Sequence, residues 1–240
     1  MIAPVRKIIS QSTVDGPGNR TAIFLQGCNI RCSYCHNPET QAMEDAEALE
    51  RTVPEVVEEI RKSIPFIRGI TVSGGECMLR AEWLKELFTA VRHLSDETGH
   101  FLTCLIDSNG TVPFSSHRPL MDVCDGVMLD VKAWDSVVYQ RLTQSANNRI
   151  VKDNLTWLLQ EDKLTEVRIV CVPEMVDVEV ILNNIAQIYG FIGKSAPIKL
   201  IRFRPHGVIG ALSAYPVTSE ESMNHYISIA ESLHLPVRKG

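Results

Sequence analysis

Short, nearly continuous apolar runs recur along the chain at Thr21 to Leu25, Gly69 to Val72, Phe101 to Ile106, Gly126 to Val131, Glu166 to Val172 and Ile198 to Phe203. They lack the strict alternation of a half-exposed strand, and runs of this kind suit strands covered on both faces, because a parallel sheet flanked by helices has no wet side. Helical periodicity fills the gaps between them. Thr52 and Glu55 make a capping box, Pro54 sits in the first turn, and Val56, Val57, Ile60 and Ile64 give one apolar face. Trp83, Leu84, Leu87, Phe88 and Val91 repeat the pattern, as do Ile181, Ile185 and Ile188, while Thr218 and Glu221 predict a capped C-terminal helix through Met223, Tyr226 and Ala230. Six strands alternating with helices predict one α/β domain over residues 1–240, with a parallel sheet either open or curled into a full or partial barrel. Neither a linker-like shift nor a repeat divides the chain. Pro38 to Arg51 is acidic and polar and is expected to be a solvated loop.

Composition narrows the partners. The 240 residues are 45% hydrophobic and 22% charged, enough apolar material for a sizeable core. Lysine and arginine total 24 against 29 acidic residues, a formal charge of -5, which gives no field for a polyphosphate, so nucleic acid is not an expected ligand. No apolar run approaches bilayer-spanning length, and Met1 to Ser10 lacks the apolar stretch of an export signal, so the expectation is a cytoplasmic protein without a membrane partner. An odd count of seven cysteines in a long chain of this kind points to reduced thiols.

Three of those cysteines, Cys28, Cys32 and Cys35, fall on the connection after the first apolar run. Thiolates so spaced can wrap one soft metal centre, either zinc or an iron-sulfur cluster. A closed zinc site wants four protein ligands, here with His36 or one of the scattered cysteines as the fourth, and His36, adjacent to Cys35, is poorly placed for it. Three cysteines alone suit a cubane with one iron left open for an outside ligand. Further candidates stand where later strands end. Gly74-Gly75-Glu76 combines close backbone approach with a carboxylate able to accept from an ammonium group. Asp107-Ser108-Asn109-Gly110 and Met128-Leu129-Asp130-Val131-Lys132 put two acids at neighbouring strand ends, which repel unless a cation or ligand lies between them. Arg168 is a charge inside an apolar strand and needs a partner if it points inward, although an edge strand would leave it solvated; His206 follows the last run. Cys77 reads as a small buried thiol, and Cys104, Cys124 and Cys171 carry no assigned role.

The Cys-x3-Cys-x2-Cys triplet, with Tyr34 before its last cysteine, resembles the signature of the radical S-adenosylmethionine (SAM) superfamily. Thr13-Val14-Asp15-Gly16-Pro17-Gly18 upstream of Gln26-Gly27-Cys28, followed by Cys35-His36-Asn37-Pro38, is similar to the glycyl-radical-enzyme activases of the pyruvate formate-lyase activating type. Phe24 to Cys28, Ile106 to Gly110 and Arg202 to Gly207 look closest to the YjjW-type branch, without the cysteine-bearing ferredoxin-like insert many of its members carry.

The resemblance covers Ile8 to about Gly210 and implies a radical SAM fold, a partial (β/α)6 TIM-type barrel. It implies a 4Fe-4S cluster on Cys28, Cys32 and Cys35, with SAM held by Gly74, Gly75, Glu76, Asn109, Lys132, Arg168 and His206. It also implies a monovalent cation at Asp107, Ser108, Met128 and Asp130, and Asp15 where the target glycine loop docks. The implied reaction is reductive cleavage of SAM and removal of a hydrogen atom from a glycine of a partner glycyl radical enzyme, with flavodoxin or ferredoxin as electron donor. Catalysis then rests on cluster and SAM rather than on an acid-base pair. A radical SAM enzyme acting on a small molecule, such as a 7-carboxy-7-deazaguanine synthase, would share the triplet but is less expected to carry Asp15 to Gly18, and a zinc-binding scaffold is the non-catalytic alternative.

Overall fold

The computed structural model describes residues 1–239, and the chain forms two compact units. The first comprises Met1–Asn29, Glu39–Ser108 and Phe114–Met128, and the second Ile30–Pro38, Asn109–Pro113 and Leu129–Gly240.

In the first unit, β1 (Ile2–Ser12), β2 (Arg20–Leu25), β3 (Leu49–Thr52), β4 (Gly69–Gly74) and β5 (Thr103–Ser108) pair in the order β3-β1-β2-β4-β5. β1 runs antiparallel to both β2 and β3, while β2, β4 and β5 are mutually parallel. Two long helices follow the strands, α1 (Val53–Arg61) and α2 (Ala81–Thr98), with a short α3 (Arg118–Met121) after β5. The next strand, β6 (Gly126–Asp130), carries the boundary between the units. The second unit continues with α4 (Ser136–Thr143), α5 (Asn148–Gln160), β7 (Leu164–Cys171), α6 (Val178–Ile192), β8 (Ile198–Arg202), α7 (Glu220–Ser232) and β9 (Val237–Lys239). Its strands β7, β8 and β9 are parallel. This is the expected α/β architecture with a mostly parallel sheet, and each of the six apolar runs is a strand.

Several expectations need correction. The parallel strands of the first unit are covered on both faces, as expected, but one of those faces is partly polar. In register, Ile70, Val72, Cys104 and Ile106 share one fully buried face with Ile23, whereas Thr71, Ser73, Thr103 and Asp107 share the other with Arg20. The stretch Pro38 to Arg51 is not simply a solvated loop. It ends in β3, and Asp45 and Glu47 pair with Arg6 of β1 at 2.5 and 2.6 Å. β1 escaped the pattern because Pro4, Arg6 and Lys7 interrupt its apolar positions, and β9 because it is three residues long.

The capping box on α1 is present as expected, but the helix stops at Arg61, and Ile64 lies beyond it before Pro65, a position that avoids helical backbone. α7 is capped by Ser219, which accepts from the Ser222 amide, rather than by Thr218. The Thr218 hydroxyl instead donates to the Cys171 carbonyl at 2.5 Å and accepts from the Phe203 amide at 3.0 Å, fastening the start of α7 to β7 and β8. Both α4 and α5 fell between the periodic segments.

Candidate cluster and cofactor site

In the first unit the ladder between β2 and β4 runs on past the strands. The Gly75 amide donates to the Leu25 carbonyl at 3.0 Å and the Glu76 amide to the Gly27 carbonyl at 2.8 Å, while the Gly27 amide donates to Thr40 at 2.9 Å. This draws the Gly74-Gly75-Glu76 turn onto the backbone that leads into Cys28, which is itself buried and donates from its amide to Gln41 at 3.3 Å. No side chain fits at Gly75, where a Cβ would stand 2.2 Å from the Gly27 oxygen and 2.7 Å from that of Thr40. The Gln26 amide group locks the same segment by donating to Glu39 and Ala42 carbonyls at 2.9 and 2.8 Å.

Glu76 is 1% exposed, and its Oε1 accepts from the Ser108 hydroxyl at 2.8 Å and the Met78 amide at 3.0 Å. Asp107, on the polar face of β5, accepts from Ser73 at 2.9 Å. Met128 is fully buried in β6. The thiol of Cys77 lies in the core, donating toward the Val72 and Asp107 carbonyls, and burial together with the charges of Glu76 and Asp107 pushes it well above the ordinary thiol range. It is thus an inert, protonated thiol.

The second unit holds the other two cysteines of the triplet. Cys32 and Cys35 are half-buried on a tight turn closed by the Cys35 amide on the Cys32 carbonyl at 3.2 Å, and the loop is pinned to the end of α4 through the Arg31 and Ser33 amides. Around this turn the Ser33, Tyr34 and Tyr139 hydroxyls are buried without a hydrogen-bond partner. Lys132 donates to Asp130 at 2.7 Å and lies 5.8 Å from the centre of the Tyr34 ring. Burial works against the Lys132 charge, but Asp130 and Cys32 outweigh it and raise its pKa well above the ordinary value. Burial raises Tyr34 far above a free phenol and Tyr139 to about 12, so both remain neutral donors.

His36 is not directed at a metal. Its Nε2 contacts the Arg204 carbonyl at 2.9 Å, and its ring lies 6.2 Å from that of Phe203, so it clasps the turn Arg204-Pro205-His206-Gly207 to the cysteine loop. His206 itself is exposed. Asn109 turns back on its own chain, accepting from the amide and hydroxyl of Thr111 at 3.0 and 2.6 Å. Arg168 is 8% exposed and does have a charged partner, for its Nε donates to Glu166 at 2.9 Å, and Glu166 also pairs with Arg238 of β9. The solvated edge-strand reading of Arg168 is therefore wrong. Its partner was legible, since residues two apart on a strand share a face.

At the other end of β2, Asp15 lies in the turn between β1 and β2, where its Oδ2 accepts from Ser12 at 2.5 Å. Arg20 went unnoticed in the sequence, though a lone charge heading an apolar strand is the same signal that singled out Arg168. Among the described residues, no three His, Cys, Asp or Glu side chains converge on a point. The chemistry of the donor set, three cysteines outside any disulfide, fits a thiolate-held iron-sulfur group.

Residues 14–151 match the family of the 4Fe-4S single cluster domain, which defines the class, an iron-sulfur protein of the radical SAM type. A Haemophilus influenzae protein provisionally named as a glycyl-radical enzyme activating enzyme is 34% identical over 244 residues, covering 92% of this chain and 90% of that protein. The pyruvate formate-lyase-activating enzyme of Streptococcus mutans is 36% identical over 172 residues, 70% of this chain and 65% of that one. Among solved structures, a domain of pyruvate-formate lyase-activating enzyme from Bacteroides vulgatus superposes with a TM-score of 0.56 at 18% identity, covering 72% of this chain and 98% of that chain, a likeness of fold. The chain belongs to the glycyl-radical-enzyme activating enzymes, whose cofactors are a 4Fe-4S cluster and SAM. No described helix is long and apolar enough to cross a membrane.

Proposed function

We propose that the protein, acting over its whole length as one catalytic domain, generates a radical on a glycine of a partner glycyl radical enzyme. The observation that carries this reading is the cysteine triplet, none of it in a disulfide, led in by a backbone so closely packed at Gly75 that it leaves no room for a Cβ. Cys28, Cys32 and Cys35 would hold the cluster, three thiolates leaving one iron open. When bound, the cluster and SAM supply one-electron cleavage of the sulfonium and the carbon radical that takes a hydrogen atom from the glycine Cα, with an external flavodoxin or ferredoxin as electron source.

The protein's share is placement and charge. Gly74 and Gly75 present backbone to the SAM amino group, and the Glu76 carboxylate, already oriented by Ser108 and Met78, accepts from it. Lys132 and Arg168, each fixed by a carboxylate, offer cationic donors to the anionic side of the cofactor, and Asn109 and His206 border its nucleoside. Asp107, Ser108, Met128 and Asp130 would take a monovalent cation, relieving the two acids. Asp15 meets the incoming glycine loop.

The test is electron paramagnetic resonance on dithionite-reduced, anaerobically reconstituted protein mixed with SAM and candidate glycyl radical enzymes. A glycine-centred doublet is expected with one of them, together with SAM cleavage that the Cys32→Ala variant lacks. An intact cluster that leaves SAM uncleaved, or stoichiometric zinc in place of iron, would overturn the reading.

A further inference from the structure

Arg20 is 1% exposed, and the chemistry proposed above does not use it. All five N–H donors of its guanidinium are engaged by oxygens. Nε donates to the Thr71 hydroxyl at 2.8 Å, one terminal nitrogen to the Pro17 carbonyl at 3.3 Å and the Thr103 hydroxyl at 3.0 Å, and the other to the Ile70 and Thr103 carbonyls at 2.6 and 2.8 Å. Each acceptor is neutral. Burial lowers the Arg20 pKa to about 10, so the group still carries its charge at neutral pH. A guanidinium with every donor committed has none left for an anionic ligand, and a buried charge held only by dipoles is an expensive way to stabilise a fold. Its geometry identifies what it does hold.

Two of its bonds lead to the turn that contains Asp15. Thr71, which accepts from Arg20, donates in turn to the Asp15 carbonyl at 2.6 Å, and the Pro17 bond reaches the same turn directly. Gly16 lies so close over the arginine stem that a Cβ there would stand 2.8 Å from Arg20 Cδ, with a backbone φ of +134° that other residues rarely adopt. Its remaining bonds, to Ile70 and Thr103, anchor the guanidinium where β4 and β5 begin. The turn is thus referenced to the rigid sheet through one side chain.

We propose that Arg20 is a positioning residue, which through Thr71 and the Pro17 carbonyl fixes the Asp15–Gly18 turn in the shape that the partner enzyme's glycine loop meets. The inference rests on the activase reading for what meets the turn, and on the structure alone for what holds it.

Two measurements on reconstituted full-length protein separate these. In hydrogen-deuterium exchange without any partner, Arg20→Lys, which keeps the charge but loses the fork of donors, is expected to speed exchange of residues 13–18 about tenfold while the amides of β4 and β5 keep their protection. With the glycyl radical enzyme found by the resonance experiment, Arg20→Lys is expected to raise the KM for that enzyme about tenfold and leave uncoupled SAM cleavage within about twofold of wild type. Gly16→Ala, which keeps the Arg20 side chain and its bonds to β4 and β5 but crowds the turn off the arginine stem, should reproduce the KM effect and guards against a poorly folded Arg20 variant. Unchanged exchange at 13–18, or a loss of SAM cleavage in proportion to radical formation in both variants, overturns the proposal. If no partner acquires a radical from wild-type protein, it is the activase reading that fails, and the exchange arm still decides whether Arg20 holds the turn.

Discussion

In the first unit the buried cation, Arg20, meets only hydroxyls and carbonyls, and the turn beside Cys28 is shaped by glycines and backbone hydrogen bonds. In the second unit the cations stand against carboxylates, Lys132 on Asp130 and Arg168 on Glu166, with Arg238 completing a chain of three charges. The first arrangement fixes the path of the backbone and the second fixes charge.

That division predicts that small steric changes hurt the first unit most and charge changes the second. Gly75→Ala should have the largest effect. Its Cβ would overlap the Gly27 and Thr40 carbonyls, which are backbone atoms and cannot rotate away, so the connection into Cys28 must shift at a cost of about 3 kcal/mol. Iron and sulfide content after anaerobic reconstitution should fall to background. A Gly75→Ala protein that binds the full cluster would show that the cradle is not what shapes this end of the site.

Glu166→Gln probes the second unit. The carboxylate side chain is 3% exposed and that of Arg168 is 9% exposed, so removing the negative charge leaves an arginine buried without its ion-pair partner, a loss of about 3 kcal/mol. Denaturant unfolding measures the loss. SAM affinity of the folded variant, read by equilibrium binding, should drop as well, because Arg168 is no longer held in one orientation. A variant as stable as wild type would mean that other groups around Arg168 hold it without Glu166.

The contrast also explains what the sequence could disclose. Six strands, the box on α1 and the cysteine triplet were legible because each is a local pattern of residue types at fixed spacing. The polar face of β4 and β5 was hidden although Thr71 and Ser73 alternate with Ile70 and Val72, because the eye takes Thr and Ser in a short run as strand formers rather than as a surface. Thr218 was misassigned because the capping signal reads the same one residue away, and only the packing of β7 and β8 against the helix start decides for Ser219. What Arg20 and Glu166 hold at long range was not legible, since Thr103 and Arg238 lie 83 and 72 residues away.

The smallest effect concerns the thiols outside the triplet. Burial raises Cys77 and Cys104 in the first unit, and in the second lifts Cys171 from an ordinary value of 9.0 to about 12. An unfolded chain releases these protons above pH 9, whereas the folded chain keeps the Cys171 proton until about pH 12. Between those values the unfolded state binds fewer protons, so stability falls as pH rises, by about 1.4 kcal/mol per pH unit for each thiol. Below pH 9 the Cys171 thiol is protonated in both states and its contribution is complete. Cys171→Ala should therefore lose stability from its cavity at every pH, yet show a slope of unfolding free energy against pH that is shallower than wild type by one proton between pH 9 and 11. Parallel slopes for the two proteins would mean that the Cys171 thiol ionises without unfolding, and that the core around β7 admits water.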